Sequence, residues 1–389
     1  MNTGRRIFSQ VMDYFPVRRF KTCVDRYNGD KAIKTLTCLD QFHYMSFAQL
    51  TYRESLRDLI TCLKAVKPML YHMGIQGTVA KSTLADANCK RNWRIYADIA
   101  SVLIQRAKKL YAATPLSVDL DATAYALDST MIDLCMSMFP WAAYKSTKSA
   151  VKMHTLLNIR GDIPEFIYIS DGKLADMEAL DYIPITPGTF TIMDRGYIDF
   201  ARLYRFERNK AFFIIRAKKN LCFQRRYSAR AEKAKGILCD QTIILTTYYP
   251  AQDYPDALRR IRYFDADQKR LFVFLTNNFE LPALTIAELY RSRWRIELFF
   301  KWIKQHLRIK TFYGTDENAV KTQIWIAVTT YLLVAIMKKE LGLEHSMYEI
   351  LQILSITVLH RMPVLQAFSN YSVTQNNNRP ANQLTLFDF

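Results

Sequence analysis

The pattern of apolar and polar residues predicts a helical first third of the chain. Apolar residues recur every three or four positions over 44–66 and 94–111, which is the spacing of amphipathic helices. Between them, two glycines indicate a turn, and Ser82 or Thr83 is expected to cap a short helix that carries Lys90 and Arg91. This order is compatible with a helix-turn-helix unit in which Lys90 and Arg91 contact DNA, and equally with an ordinary helical bundle.

Short apolar runs separated by turns begin at about residue 116 and predict a mixed sheet. Three strands come first: one closes at Asp128, and the next two are joined by a turn at 160–162. A helix, an apolar strand closing at Asp194, a second helix and a further strand follow, up to residue 217. Strands alternating with helices in this way indicate an α/β fold with helices packed on the sheet.

A second strand-rich block, 218–282, comes before the last helices and includes a hairpin turn at 265–268. Because it interrupts the α/β pattern, we predict an inserted β-rich subdomain. The predicted organisation is then as follows: a helical DNA-binding domain, 1–115; a catalytic core in two parts, 116–217 and 283–340; the insertion, 218–282; and a C-terminal helix with a loose tail, 341–389.

The segment 284–310 predicts one amphipathic helix with polar residues at the edge of its buried face. At about 100° per residue, Tyr290, Arg293, Glu297 and Lys304 share an arc of roughly 60°. The neighbouring arc is apolar and contains Leu289, Ile296, Phe299, Phe300, Ile303 and Leu307. A carboxylate between cations and a phenol suits a metal ligand flanked by phosphate-binding groups. However, Arg and Glu four residues apart also occur on many solvated helix faces.

The charge of the chain indicates a polyanionic partner. There are 54 basic and 36 acidic residues, a formal net charge of +18, which favours nucleic acid. The seven cysteines form no C-x-x-C pair and the six histidines no H-x-x-x-H pair, so a disulfide framework, a zinc site and a zinc hydrolase are all disfavoured. The first fifteen residues lack the apolar core of a signal peptide, and the apolar run 324–337 predicts a buried core helix. We therefore expect a cytosolic protein with reduced thiols.

Three carboxylates are the strongest candidates for chemistry. Asp128 and Asp194 close predicted strands and Glu297 lies on the later helix, an order that fits a ribonuclease-H-like sheet. Phosphoryl transfer with two divalent metal ions needs such a set, and Mg²⁺ prefers oxygen ligands. Taken singly, each aspartate also fits a turn residue, because each precedes turn-forming residues.

Other residues near these positions are weaker candidates. Lys152 and His154 share one face of a strand that adjoins Asp128; they either line the site or belong to a solvated edge. Arg195 either contacts a phosphate or forms a structural ion pair with Asp194. The tryptophans of the predicted helix over 284–310, Trp294 and Trp302, are expected to pack rather than to stack on bases.

The motifs around the three carboxylates resemble one known family. ALDST, IMDRGY and YRSRWRIELFFKWIKQHL are similar to the three signature regions of DDE transposases of the insertion-sequence-four family, and the Tyr-Arg-Glu-Lys spacing matches at all four positions. The N-terminal segment FSQVMDYFPVRRF also resembles the small first domain of this group.

The resemblance implies a mechanism. Asp128, Asp194 and Glu297 would hold Mg²⁺, with Mn²⁺ a possible substitute. Tyr290, Arg293 and Lys304 would bind phosphates near the cleaved end. Cleavage at the element's terminal repeats would release a 3′-hydroxyl that attacks target DNA, and two ends held together imply a homodimer on DNA. Relatives use the inserted subdomain to cover the site, some with a tryptophan that stacks on a displaced base; this insertion contains no tryptophan.

Two alternatives remain open from the sequence. One is a related nuclease that cuts DNA without strand transfer. The other is a catalytically silent, DNA-binding descendant, against which the intact set of three carboxylates argues. Terminal inverted repeats flanking the gene would favour a mobile element.

Overall fold

The computed structural model describes residues 5–116, 118–145, 148–307 and 312–369, and helices make up the first part of this range. They are α1 (Ile7–Met12), α2 (Val17–Arg26), α3 (Cys38–Leu50), α4 (Leu56–Ala65), α5 (Lys81–Lys90) and α6 (Arg94–Tyr111). The predicted helical region is therefore confirmed. The predicted loose tail lies outside the described residues.

The expected capping of α5 is wrong, and the connection between α4 and α5 does not fit the helix-turn-helix alternative that the sequence left open. Helix α5 begins at Lys81 after Ala80, which has no capping side chain, so Ser82 and Thr83 lie inside the first turn. The chain between α4 and α5 contains two short 3₁₀ turns and Gly74 in the left-handed region. That connection is much longer than the three or four residues that join the helices of a helix-turn-helix.

The strands of the described residues form one mixed sheet. They are β1 (Ala124–Leu134), β2 (Ala143–Lys145), β3 (Lys148–Asn158), β4 (Ile163–Asp171), β5 (Phe190–Met193), β6 (Phe212–Arg216), β7 (Phe223–Ala229), β8 (Ile237–Leu245), β9 (Leu258–Asp265) and β10 (Arg270–Thr276). Strands β1, β5 and β6 are parallel neighbours, and β3 pairs antiparallel with both β1 and β4. Three sequential antiparallel strands followed by two parallel ones make the predicted ribonuclease-H-like sheet, which is confirmed.

The strand-rich block 218–282 is not a separate sheet. Strand β10 pairs antiparallel with β6, with Phe274 opposite Arg216, and β9, β8 and β7 follow in order. The physical reason is that β6 has an edge on which β10 can pair. The alternating apolar residues of β10 then pack in the same two cores as those of the neighbouring strands: Phe272 and Phe274 in one, Leu275 in the other. The block therefore extends the core sheet, and the domain boundaries given above stay predictions.

Alternation along the strands separates two hydrophobic cores. In β1, Ala124 and Ala126 face one core, which contains the N-terminal and C-terminal helices, whereas Tyr125 and Leu127 face the other. Successive side chains of a strand point to opposite faces, so Asp128 continues the row of Ala124 and Ala126.

The remaining helices cover both faces. They are α7 (Phe200–Arg208), α8 (Tyr248–Asp253), α9 (Ala283–Arg291), α10 (Trp294–Leu307), α11 (Glu317–Glu340), α12 (Met347–Thr357) and α13 (Val364–Ser369). Helix α11 is the one described helix long and apolar enough to cross a membrane, but 94% of its apolar window is buried inside the protein. It contacts α3, α5 and α6, as expected of a core helix.

The prediction of one continuous helix over 284–310 is wrong. Helix α9 ends at Arg291, Ser292 and Arg293 form a turn, and α10 begins at Trp294. The amide nitrogens of Arg293, Arg295 and Ile296 donate to carbonyls only three residues back, which tightens the chain at this point. The described members of the predicted apolar arc (Leu289, Ile296, Phe299, Phe300 and Ile303) are all buried.

Candidate active site

Asp128 and Asp194 lie at equivalent positions on adjacent parallel strands. The pairing of β1 with β5 ends at Leu127 opposite Met193, so each aspartate is the next residue along its strand. Each aspartate follows a residue that packs in the same core as Tyr125 and Leu127. Because successive side chains alternate, both aspartates face the opposite core, on the side of α9 and α10. β1 itself does not end at Asp128, contrary to expectation, because its antiparallel pairing with β3 continues to Leu134.

The turn between α9 and α10 brings the signature residues to these aspartates. The guanidinium of Arg293 donates to Asp128 Oδ2 at 2.7 Å and to Glu297 Oε1 at 2.5 Å. The hydroxyl of Tyr290 donates to Asp194 Oδ1 at 3.3 Å. Three of the four signature residues, Tyr290, Arg293 and Glu297, thus meet on one side of the split helix, and two of the three carboxylates share a single cation.

Burial sets the protonation of this network. It raises the pKa of Asp128 to about 6; Arg293 and the backbone N–H of Ser129 oppose the rise, while Glu297 and Asp176 add to it. Burial also raises the pKa of Tyr290 to about 12, with the charge of Asp194 contributing. Tyr290 is therefore a neutral hydrogen-bond donor near neutral pH, and a nearby cation stabilises the ionised form of the buried Asp128.

A cleft of about 590 Å³ opens beside the carboxylates. Its lining includes Asp194, Tyr290, Arg293 and Glu297, together with residues from β6, β9 and β10. Three further arginines line it, Arg216, Arg270 and Arg291, and the first two lie over the ring of Phe272. The strand-rich block thus forms one wall of the cleft. A wall of arginines around carboxylates suits a phosphodiester backbone.

Comparisons with known proteins agree with this geometry. The family described as a transposase DDE domain matches residues 119–333, more than half of the chain. A domain of unknown function matches residues 3–76. The chain belongs to the DDE transposases. It is an enzyme that acts on DNA.

Curated relatives are transposases from several bacteria. A putative transposase of Sinorhizobium fredii is 32% identical over 65% of this chain and 70% of its own length. A probable transposase for an insertion sequence of Geobacillus stearothermophilus is 30% identical, covering 53% and 54%. A putative transposase for an insertion sequence of Synechocystis is 25% identical, covering 78% and 82%.

One solved structure is also similar, at a level that carries no weight here. It is the piggyBac transposase synaptic complex with hairpin DNA, with a TM-score of 0.47 and 10% identity over 94% of this chain and 82% of that one.

DDE transposases generally use divalent metal ions, and the donor set of this transposase fits one chemically. Asp128, Asp194 and Glu297 supply only carboxylate oxygens, which Mg²⁺ and Mn²⁺ prefer. In the arrangement described, however, no group of three or more His, Cys, Asp or Glu side chains in the described residues is close enough to hold an ion. Arg293 instead supplies the positive charge between Asp128 and Glu297.

The other predicted contacts of the transposase with DNA have mixed outcomes. Arg195, Lys304 and Lys90 are exposed, and Lys90 pairs with Asp86 on its own helix; their contact with DNA stays a prediction. Arg91 is different, because it is only 6% exposed. Its guanidinium donates to the carbonyls of Thr37 and Leu36 and to Gln41 Oε1, so the prediction that it contacts DNA is wrong.

The two tryptophans of α10 differ. Trp302 is buried and packs edge-on against Tyr331, as predicted. Trp294 is 55% exposed and lines the cleft, so the prediction that it packs is wrong: as the first residue of α10 it lies outside the apolar arc.

Sequence reasoning missed several residues of the site. Arg216 and Arg270 come from strands that were assigned to different domains, and only the pairing of β10 with β6 brings them together. Asp176 was also missed, although it contacts the residue that follows Asp128. Asp176 directly follows the Gly-Lys-Leu-Ala segment 172–175 and begins the predicted short helix, a position that offered no chemical signal.

Proposed function

We propose that this transposase is a member of the insertion-sequence-four family that cleaves DNA at the ends of its element and transfers the resulting 3′-hydroxyl to target DNA. The observation that carries the proposal is the register of β1 with β5. It places Asp128 beside Asp194 on the sheet face to which Arg293 brings Glu297.

Asp128, Asp194 and Glu297 would hold Mg²⁺, or Mn²⁺ in its place. The bound ions would neutralise charge on the phosphate and lower the pKa of water. Arg293 would leave the two carboxylates and bind a phosphate, since a guanidinium and a metal ion cannot use the same oxygens. The hydroxyl of Tyr290 donates a hydrogen bond to Asp194 and would orient that carboxylate.

The rest of the cleft would hold the DNA backbone. Arg216 and Arg270 line the cleft and would contact phosphates, as would Lys304, which is exposed on α10. The +18 charge of the chain favours association with DNA. Double-stranded DNA carrying the terminal inverted repeats and target DNA are the proposed partners. A homodimer would hold two ends together, in the bacterial cytoplasm at the nucleoid.

The test is an assay with DNA that carries the ends of the element and with Mg²⁺. Cleavage followed by joining to a second duplex supports the proposal. Cleavage without joining favours the nuclease, and binding without cleavage favours the silent descendant. Glu297→Gln should abolish cleavage, while Glu288→Gln, an exposed carboxylate on α9, should cleave like the wild type.

Phosphate contact by Arg293 is tested separately. Arg293→Ala should weaken binding to end DNA and lower the slope of log affinity against log salt by about 1, as expected for the loss of one phosphate contact. An unaltered slope would count against that contact.

A further inference from the structure

A fourth carboxylate, Asp176, lies behind the proposed active site. It begins the 3₁₀ turn Asp176–Asp181 that follows β4. Its Oδ1 accepts a hydrogen bond from Ser129 Oγ at 2.5 Å and lies 2.8 Å from Lys152 Nζ. Ser129 is the residue after Asp128. Asp176, which lies beyond the end of β4, therefore contacts the strand that carries the first aspartate.

Lys152 holds Asp176 from the neighbouring strand. Its side chain is 10% exposed, and Nζ also donates to the carbonyl of Leu174 at 3.0 Å, just before the turn. His154, two residues along the same face of β3, is fully buried, and burial together with the charge of Lys152 lowers its pKa to about 4. His154 is therefore neutral, and Lys152 supplies the positive charge next to Asp176.

Asp176 and the turn that it begins lie against both segments that carry the proposed metal ligands. The backbone N–H of Ser129, whose hydroxyl donates to Asp176, donates to Asp128 Oδ1 at 2.8 Å. The turn Asp176–Asp181 also packs against Arg195–Tyr197, the turn that directly follows Asp194. The side chain of Asp176 thus fixes the residue after Asp128, while its own turn packs against the chain after Asp194.

We propose that Asp176, held by Lys152, is a positioning residue that fixes Asp128 and Asp194 relative to each other in the arrangement that binds a divalent cation. In this role it acts through Ser129, whose hydroxyl donates to it, and through the packing of its own turn, rather than as a ligand. This role rests on the proposed function. Partners that orient metal ligands typically change metal affinity or activity by about 10–100-fold when they are removed.

The test compares Asp176→Asn with the wild-type full chain. Mn²⁺ affinity is measured by electron paramagnetic resonance of the free ion, and affinity for end DNA is measured without divalent metal. The expected result is a Mn²⁺ affinity lower by about 10–100-fold with DNA affinity unchanged. Asp181→Asn is the matched control: Asp181 ends the same 3₁₀ turn but pairs with Arg202 and Arg205, so its Mn²⁺ affinity should equal that of the wild type.

A second variant separates positioning from folding. Asp176→Asn removes the negative charge beside the buried Lys152, which keeps only neutral acceptors such as the carbonyl of Leu174, and this destabilises the fold. Asp176→Asn with Lys152→Met removes both charges and should recover the melting temperature while Mn²⁺ binding stays weak. A lower melting temperature with wild-type Mn²⁺ affinity in these variants would overturn the positioning role and leave the proposed function intact. A wild-type protein that binds no Mn²⁺ would overturn both.

Discussion

Arg293 and a divalent cation compete for the same carboxylate oxygens. In the described arrangement its guanidinium bonds Asp128 and Glu297, two of the three proposed ligands. Arg293→Gln removes the competing charge and keeps a side chain of similar length. We therefore expect this variant, in the absence of DNA, to bind Mg²⁺ or Mn²⁺ more tightly than the wild type, although Arg293 belongs to the active site.

The magnitude follows from the two contacts. The pair with Asp128 is the stronger one, because Arg293 and Asp128 are 17% and 23% exposed, whereas Glu297 is 50% exposed. A charged hydrogen bond contributes about 1.5–3 kcal/mol when partly buried, and an exposed ion pair contributes less than about 1 kcal/mol. Losing both removes about 2 kcal/mol of competition, which corresponds to roughly 30-fold tighter metal binding.

Isothermal titration calorimetry near pH 8 measures this effect, at a pH where Asp128 is ionised. The matched control is Arg291→Gln, which removes the same charge from the same cleft but pairs with Asp265 and Asp267 instead. Its metal affinity should change by less than about threefold, since only screened, longer-range repulsion is lost. Equal or weaker metal binding by Arg293→Gln would refute the competition.

Three further results are expected. Glu297→Gln should bind end DNA as tightly as the wild type while its cleavage rate is undetectable in a gel assay; residual Mg²⁺-dependent cleavage would reject Glu297 as a ligand. Arg91→Ala should lower the free energy of unfolding by about 3 kcal/mol, because buried acceptors lose their donor. Lys90→Ala is the control and should change it by less than about 0.5 kcal/mol. Equal effects of the two substitutions in denaturant titrations would contradict the burial of Arg91. Timed alkylation read by mass spectrometry should modify Cys135 first and at lower pH, because Cys135 is exposed, its hydrogen bond with Ser137 lowers its pKa, and the thiolate is the nucleophile. Cys38 is buried, and burial raises its pKa to about 12. It should therefore stay unmodified until the protein unfolds.

Asp128 and Asp194 could be predicted from the sequence because each directly follows a largely apolar run of residues that lies in a strand. The apolar run before Asp194 ends where β5 ends, although β1 continues past Asp128, and the order of strands and helices restricted the topology. Their exact register was not predictable. Whether Leu127 lies opposite Met193 depends on how two strands 66 residues apart in sequence pair within the sheet.

The break between α9 and α10 shows where periodicity fails. No glycine or proline lies close to Ser292 and Arg293. The helical spacing of apolar residues therefore continues across the break, and the sequence predicts one uninterrupted helix. Tertiary contacts form at the break, above all the bond of Arg293 to Asp128 and that of Tyr290 to Asp194. A helical wheel contains no information on such contacts.

Charge alone did not distinguish exposed cations from structural ones. Lys90 and Arg91 are adjacent in a basic segment, yet one is exposed and the other satisfies carbonyls before and within α3. Similarly, the strands 223–276 have the composition of a separate β subdomain, and only the free edge of β6 decides that they join the core sheet.

The most direct test of the central claim is the anomalous scattering of Mn²⁺ in crystals of the protein bound to its own end DNA. The account predicts a Mn²⁺ peak ligated by Asp128, Asp194 and Glu297, with the guanidinium of Arg293 moved away from the carboxylates onto a phosphate. Arg293 still bridging Asp128 and Glu297, with no Mn²⁺ peak between the three carboxylates at saturating metal, would contradict it.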